Sequence, residues 1–279
     1  MKDERKYYID GSHFSIQYMY QTGYSKMARP HSHSTYELFY IFHGSKYFFI
    51  NDTVYLGQKG DLIFIQPNDI HRTSSSDELE CERMLMNVSN EFIGLELSRF
   101  QASFAQFTRS LFRFRVDEQP LIEEVIEKMY RESRERRIGY EACVRSALTE
   151  LFVQMKRVDV EESNRHAHSD HPLQQKVTEV ASYIRKHYEH TLTLDEVAKA
   201  VYISPAYLSR SFKRLTGFTF KDYVQAVRIR EAKRLLRETS MPIGRVAELV
   251  GFSYTANFNV TFKKITGVTP LAYRKQKRE

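Results

Sequence analysis

The stretch Phe212–Tyr223, FKRLTGFTFKDY, returns fifty positions later as Phe262–Tyr273, FKKITGVTPLAY. The two copies agree at Phe212/Phe262, Lys213/Lys263, Thr216/Thr266, Gly217/Gly267, Thr219/Thr269 and Tyr223/Tyr273. A chain that repeats a pattern of this length must build two similar local units, so the repeat restricts the fold of its last third more than any other feature.

Each copy extends backward into two helical patterns. In the first, Thr193 is placed to cap a helix carrying Leu194, Val197, Ala198 and Val201 inward. The turn "YIS" follows. Ser204 then caps a second helix with Pro205 at its first position, where a missing N–H costs nothing. Leu208, Phe212 and Leu215 share one face, and Ala206, Ser209, Arg210 and Lys213 lie off it. In the second copy Ile243, Val246, Ala247 and Val250 repeat the first stripe, after Pro242. "GFS" makes the turn and Ser253 is expected to cap. Phe258, Phe262 and Ile265 repeat the second stripe, and Thr255, Ala256, Asn259, Val260 and Lys263 lie off it. The offset is 49 residues before the turn and 50 after it, which implies one inserted residue. A short helix, a tight turn and a second helix with small, polar and basic residues outward is the helix-turn-helix pattern. Two such units joined by a long helix, Phe220 to Arg237, can reach successive major grooves ~34 Å apart.

Charge agrees with a polyanion partner for this region. Residues 173–279 hold 20 Lys and Arg against 9 Asp and Glu, a net of +11; residues 1–172 hold 22 against 26, a net of −4. The segment SPAYLSRSFKRLTGFTFKDYVQAVRIREAKRLL followed by IGRVAELVGFSYTANFNVTFKKITGVTPLAYRK resembles the AraC/XylS family of bacterial transcription regulators over about 173–276. The resemblance implies a seven-helix domain that contacts two adjacent major grooves of double-stranded DNA. Carried over by position, it implies DNA contacts through Ser204, Ala206, Ser209, Arg210 and Lys213 in the first unit. In the second it implies Ser253, Thr255, Ala256, Asn259 and Lys263. One position departs: Val260 stands where relatives often carry Arg, matching Arg210. Valine can touch a thymine methyl but cannot donate a hydrogen bond, so the second unit either reads a T-rich step, reads less, or tolerates a surface change.

The front of the chain has a different period. FSIQYMY, YELFYIF, KYFFI, TVYL, DLIFIQ and RMLMNV are short, aromatic and β-branched, and HGS, ND, GQKGD and QPND break them. Such strands fit a sandwich or small barrel. "HSHSTYELFYIFHG" places His31, His33 and Glu37 close together, and His71 ends the later GDLIFIQPNDIH. Alternate strand residues share a face, and three imidazoles with a carboxylate would suit a divalent first-row metal. The two segments resemble the signature motifs of the cupin superfamily of small β-barrels, with Gln66 in place of a common Pro and Asn68 in place of a common Gly. That resemblance implies a divalent metal or an organic effector at His31, His33, Glu37 and His71. Inherited barrel residues satisfied by hydrogen bonds are the third reading.

Beyond Pro120 the apolar period is helical. Val144, Leu148, Leu151, Phe152 and Met155 form a stripe that either packs on the barrel or pairs with a second copy of the chain. Residues 158–172 read as a linker, whose His166, His168 and His171 could bind a metal. Cys81 and Cys143 have no metal-ligand spacing. No apolar run reaches the length of a membrane span and the first ten residues are charged, so a cytoplasmic protein without membrane contact is expected. No G-x-S-x-G, phosphate loop or H-E-x-x-H is present.

The expected fold is thus multidomain α and β. It has a cupin-like β-barrel over 1–119, a helical dimerisation segment over 120–157 and a linker over 158–172. An all-α tandem helix-turn-helix domain fills 173–279. The expected function is a homodimeric transcription activator that contacts RNA polymerase and answers to a small effector, a sugar. The alternatives are a metal-sensing regulator and a metal-dependent cupin enzyme.

Overall fold

The computed structural model describes residues 3–11, 13–25, 27, 31–93, 107, 109–162 and 172–275. The chain divides into two compact units, Met1–Asp170 and His171–Glu279. The histidines expected in the linker, His166, His168 and His171, lie outside the described residues.

The first unit is built on an eight-stranded antiparallel sheet. Its strands are β1 (Lys6–Ile9), β2 (Phe14–Thr22), β3 (Tyr36–Ile50), β4 (Thr53–Gln58), β5 (Asp61–Ile65), β6 (His71–Ser75), β7 (Glu80–Val88) and β8 (Leu111–Arg113). The order is β1-β2-β7-β3-β5-β8, with β4 and β6 paired to β3. The turn expected at HGS is instead a bulge inside one 15-residue strand. The first half of β3 pairs with β7 and β5; its second half, Ser45–Ile50, lies between β4 and β6. Gly44 makes this possible. Its φ is +75°, and a Cβ there would overlap the carbonyl oxygen of Glu80. One strand thereby serves two sets of partners.

The pleat sends residues to two cores. Leu38, Tyr40, Leu62, Phe64, Met84 and Met86 face outward from the barrel onto two helices, α2 (Gln119–Glu135) and α3 (Tyr140–Glu162), which follow a short α1 (Asn90–Ile93). Phe39, Ile41, Phe48, Ile50, Ile63 and Ile65 form a separate inner core. The dimerisation stripe must be corrected here. Val144, Leu148, Leu151, Phe152 and Met155 are at most 1% exposed and belong to the outer core with Ile122, Val125, Ile126 and Met129. Their apolar face is already buried against the chain's own barrel, so it is not a surface for a second copy. The helical segment is part of the first unit, and α3 runs on to Glu162 inside the stretch read as linker.

The second unit has seven helices among the described residues: α4 (Pro172–His187), α5 (Leu194–Ala200), α6 (Pro205–Thr216), α7 (Phe220–Glu238), α8 (Ile243–Leu249), α9 (Thr255–Thr266) and α10 (Pro270–Lys275). The repeat acquires a structural meaning. The helices α6 and α9 each have 12 residues and start fifty positions apart, and α5 and α8 each have 7 residues and start 49 apart. Gly217 and Gly267 end α6 and α9 in the left-handed conformation, with φ of +73° and +83°. Thr216 Oγ1 donates to the Phe212 carbonyl and accepts from the Phe218 N–H; Thr266 does the same with Phe262 and Val268. Thr219 and Thr269 then accept from Asp222 N–H and Ala272 N–H, starting the next helix. Tyr223 and Tyr273 close the corner on Phe212 and Phe262, with ring centroids 5.3 and 5.6 Å apart. The repeated letters are therefore a helix stop, a turn and a helix start, made twice.

The inserted residue falls between Ser253 and Thr255. Thr193 and Ser204 cap as expected, Thr193 in a full capping box with Glu196. Ser253 does not: Tyr254 takes the N-cap position of α9 and gives no side-chain cap bond. Ile265, expected inward, is 47% exposed.

Two measurements check these corrections. Ser204→Ala is expected to lower stability by about 1 kcal/mol, and Ser253→Ala by less than about 0.5 kcal/mol, by urea unfolding of the full chain. Equal losses would return Ser253 to a capping role. Leu151→Ala is expected to cost about 2–5 kcal/mol and to leave the sedimentation coefficient unchanged. A dissociated dimer with no loss of stability would restore the dimer surface.

Candidate functional site

The helices α6 and α9 bury one face each. Leu208, Phe212 and Leu215 hold α6 down, and Phe258 and Phe262 hold α9. Everything expected on their outer faces is exposed: Ser204, Ala206, Ser209, Arg210 and Lys213 in one, and Ser253, Thr255, Ala256, Asn259 and Lys263 in the other. Val260 is 70% exposed on the same side. Neither helix contains an acidic residue. Their positive N-termini and their lysines and arginines thus present no carboxylate to repel a phosphate backbone. Tyr207 and Tyr254 are exposed beside these residues, and their hydroxyls can reach phosphate oxygens. Sequence patterning missed them because an aromatic near an apolar stripe reads as core.

The two units are held to each other through α7. Its first half buries Tyr223, Val224, Ala226 and Val227, and its second half buries Ile229, Ala232 and Leu236 against Val246, Phe258 and Phe262. A second tie runs from the middle of α7. Arg228 donates from Nε to the Tyr188 carbonyl and from Nη2 to the His190 carbonyl, both at 2.8 Å, just after α4. Its guanidinium also lies over the Phe252 ring at 5.6 Å. The turn of the second unit presses into the same place. Gly251 has a φ of +86°, and a Cβ there would meet the carbonyl oxygens of Tyr188 and Glu189 at 2.8 Å. The first unit holds the matching left-handed position with Tyr202, φ +58°, which is exposed and meets no such wall.

In the barrel, His31, His33, Glu37 and His71 do come together, with one ligand atom from each within 4.8 Å of the others. His31 and His71 form a backbone bridge, N–H to carbonyl at 3.2 and 3.0 Å. Glu37 Oε2 lies 3.0 Å from His71 Nε2 and 3.3 Å from His33 Nε2. Burial acts to raise the Glu37 carboxyl, but the two imidazoles outweigh it and hold it at about 2. The bond to Glu37 raises His33 against the effect of its burial. Asn68 sits at φ +69° in the turn before His71, a left-handed place that Asn tolerates in lieu of Gly.

The hydrogen bonds around this cluster fit a cation. Nδ1 of His33 faces the Thr35 carbonyl and Nδ1 of His71 the Asp69 carbonyl, both at 2.9 Å. A carbonyl only accepts, so each Nδ1 in these contacts donates, and each Nε2 faces the Glu37 carboxylate. His71 Nε2 is buried and faces Glu37 Oε2 at 3.0 Å, off the line of an ideal hydrogen bond. Backbone-oriented imidazoles of this kind are the usual support of a metal ligand set.

Comparison with known proteins follows the same division. The AraC-like ligand binding domain family matches residues 16–152, and a helix-turn-helix domain family matches residues 197–276. The chain is 35% identical over 130 residues to the uncharacterised HTH-type transcriptional regulator YtdP of Bacillus subtilis, covering 47% of this chain and 17% of that protein. It is 23% identical over 252 residues to the HTH-type transcriptional activator RhaR of Enterobacter sp. strain 638, covering 89% and 88%. It is 33% identical over 99 residues to the melibiose operon regulatory protein of Escherichia coli, covering 36% and 33%. The chain spans less than half the length of the curated relatives it matches at 34 to 37% identity. No helix among the described residues is long and apolar enough to cross a membrane. The matched families are a ligand-binding and a DNA-binding domain, not a catalytic one. With both halves matched in this order, the chain belongs to the AraC/XylS family of transcription regulators.

Proposed function

We propose that this protein activates transcription from specific double-stranded DNA sites, working as a homodimer with RNA polymerase, under control of a small effector in the barrel. The observation that carries the reading is the pair of acid-free helices, α6 and α9, set by one repeat and exposing Arg210, Lys213, Asn259 and Lys263. Arg210 suits guanine and Asn259 suits adenine, while Val260 suits a thymine methyl. The activator role rests on the relative that is named an activator, and the sugar class on the regulator named for the melibiose operon. The homodimer must use a surface other than the stripe buried around Leu151. Effector binding would act as a population shift, by favouring one arrangement of the DNA-binding units over another.

Selection from a random DNA pool with the full chain tests this. The selected site is expected to bind about 10³-fold or more tightly than a shuffled sequence at physiological salt. Equal affinities would overturn the reading. Arg210→Ala is expected to cost about 1–3 kcal/mol and to relax preference at one base pair. Lys213→Ala is expected to weaken selected and shuffled sites alike and to reduce the salt dependence.

A second reading is favoured by the buried Nε2 of His71. The set His31, His33, Glu37 and His71 would hold a divalent first-row cation, and the cation would supply a fixed positive charge that neutralises Glu37 and orders the barrel mouth. Metal analysis of protein purified without a histidine tag or chelator is expected to find about one such ion per chain, lost in His33→Ala. Absence of metal after soaking with zinc, iron, manganese and nickel would leave these residues to an organic ligand or to structure alone.

A further inference from the structure

A second polar cluster lies inside the barrel, away from the histidines. Lys46 on β3 and Arg83 on β7 are 1% and 6% exposed. The register puts Arg83 opposite Ile41 and Met19, on the face of β7 that carries Cys81 and Leu85 to the inner core. Lys46 pairs with Ser75 on β6, four residues beyond His71, which is about 13 Å along a strand.

Both cations converge on one neutral atom. Lys46 Nζ donates to Gln21 Oε1 at 2.9 Å, and Arg83 Nη1 donates to the same oxygen at 3.4 Å. That oxygen is held in place from behind: Gln21 Nε2 donates to the Gly23 carbonyl at 3.1 Å and to Ser75 Oγ at 3.2 Å. Arg83 Nε is buried and has no hydrogen-bond partner. Among the described residues, the ionisable groups that act on Lys46 are Arg83 and the thiol of Cys81, and neither is a carboxylate. Burial, then the charge of Arg83, pushes Lys46 down to about 8. Among the described residues these two buried cations have no anion beside them, an arrangement that stable interiors avoid by pairing. In a ligand-binding domain a ligand can supply that partner.

We propose that the barrel binds its effector through an anionic group, a carboxylate or a phosphate, seated between Lys46 and Arg83. This rests on the reading of the barrel as the effector site and narrows the effector from a neutral sugar to an acidic small molecule. Arg83 Nε offers a donor without a partner, and Lys46 adds a point charge. Gln21 Oε1 is the point on which the two donors meet.

The test uses matched pairs of probes on the full chain, read by thermal shift. D-galacturonate is compared with D-galactose, D-glucose 6-phosphate with D-glucose, and inorganic phosphate with chloride at equal ionic strength. At least one acidic probe is expected to raise Tm where its neutral partner does not, the uronate marking a carboxylate and the phosphates a phosphate. Lys46→Met and Arg83→Met are each expected to raise the half-saturating concentration at least tenfold. Without any probe, Lys46→Met is expected to melt higher than the unaltered chain, since it removes a buried repulsion, and this also shows that the variant folds. Neutral sugars that shift the unaltered chain and both variants alike would overturn the anionic site and leave the effector reading standing. The anionic site also falls if no acidic probe shifts the unaltered chain; the effector reading is then judged on whether any neutral ligand alters affinity for the selected DNA site.

Discussion

Helix α7 is shared by two small hydrophobic cores, and the rest of the DNA-binding unit depends on that sharing. Tyr223 and Val227 complete the first core and Ile229, Ala232 and Leu236 complete the second. A helix of 19 residues is a stiff spacer, so the two outer helices keep a fixed phase. Arg228 adds a cross-tie to the carbonyls after α4, and Gly251 lets the second turn close on the same carbonyls. A side chain at Gly251 would force the second helix pair away from α4. The motif repeated in the sequence thus makes the corners, while the unrepeated helix between the copies sets their geometry.

The barrel follows a comparable logic through β3. One bent strand carries Glu37 near one end and Lys46 near the other, and β6 runs beside it with His71 and Ser75. Between them lies an apolar filling of Phe39, Ile41, Phe48 and Ile63. The outside of the same sheet is covered by α2 and α3. Among the described residues, the buried Lys46 and Arg83 share that interior, and no carboxylate acts on Lys46. A small molecule bound between those charges would change the stability of the whole unit.

Much of this was legible in the sequence, for physical reasons that can be named. The stripes Leu208–Phe212–Leu215 and Val246–Ala247–Val250 follow the helical period, so faces and exposed residues follow too. His31, His33, Glu37 and His71 could be grouped from a strand's two-residue period and a motif. Other features carry no periodic signal. The strand β6 reads HRTSS, without an apolar residue, and is a strand only because β3 pairs with it. Lys46 opens KYFFI, an apolar run in which a buried lysine is invisible, and Arg83 opens RMLMNV in the same way. Ser253 has the right residue type for a cap but stands one position too early, since Tyr254 is inserted after it. The Leu151 stripe shows that a helix has an apolar face; the sequence does not state whether the chain's own barrel or a second chain covers it.

The central claim is that α6 and α9 read one DNA site as a single rigid body. The most direct measurement is the affinity of the full chain for its selected site after inserting base pairs between the halves read by the two helices. Inserting about five base pairs, half a helical turn, turns one half-site to the opposite face of the duplex. The account predicts at least a tenfold loss of affinity for that insertion, to the level of a site with one half scrambled. An affinity indifferent to the insertion would contradict it, since the two helices would then be acting independently.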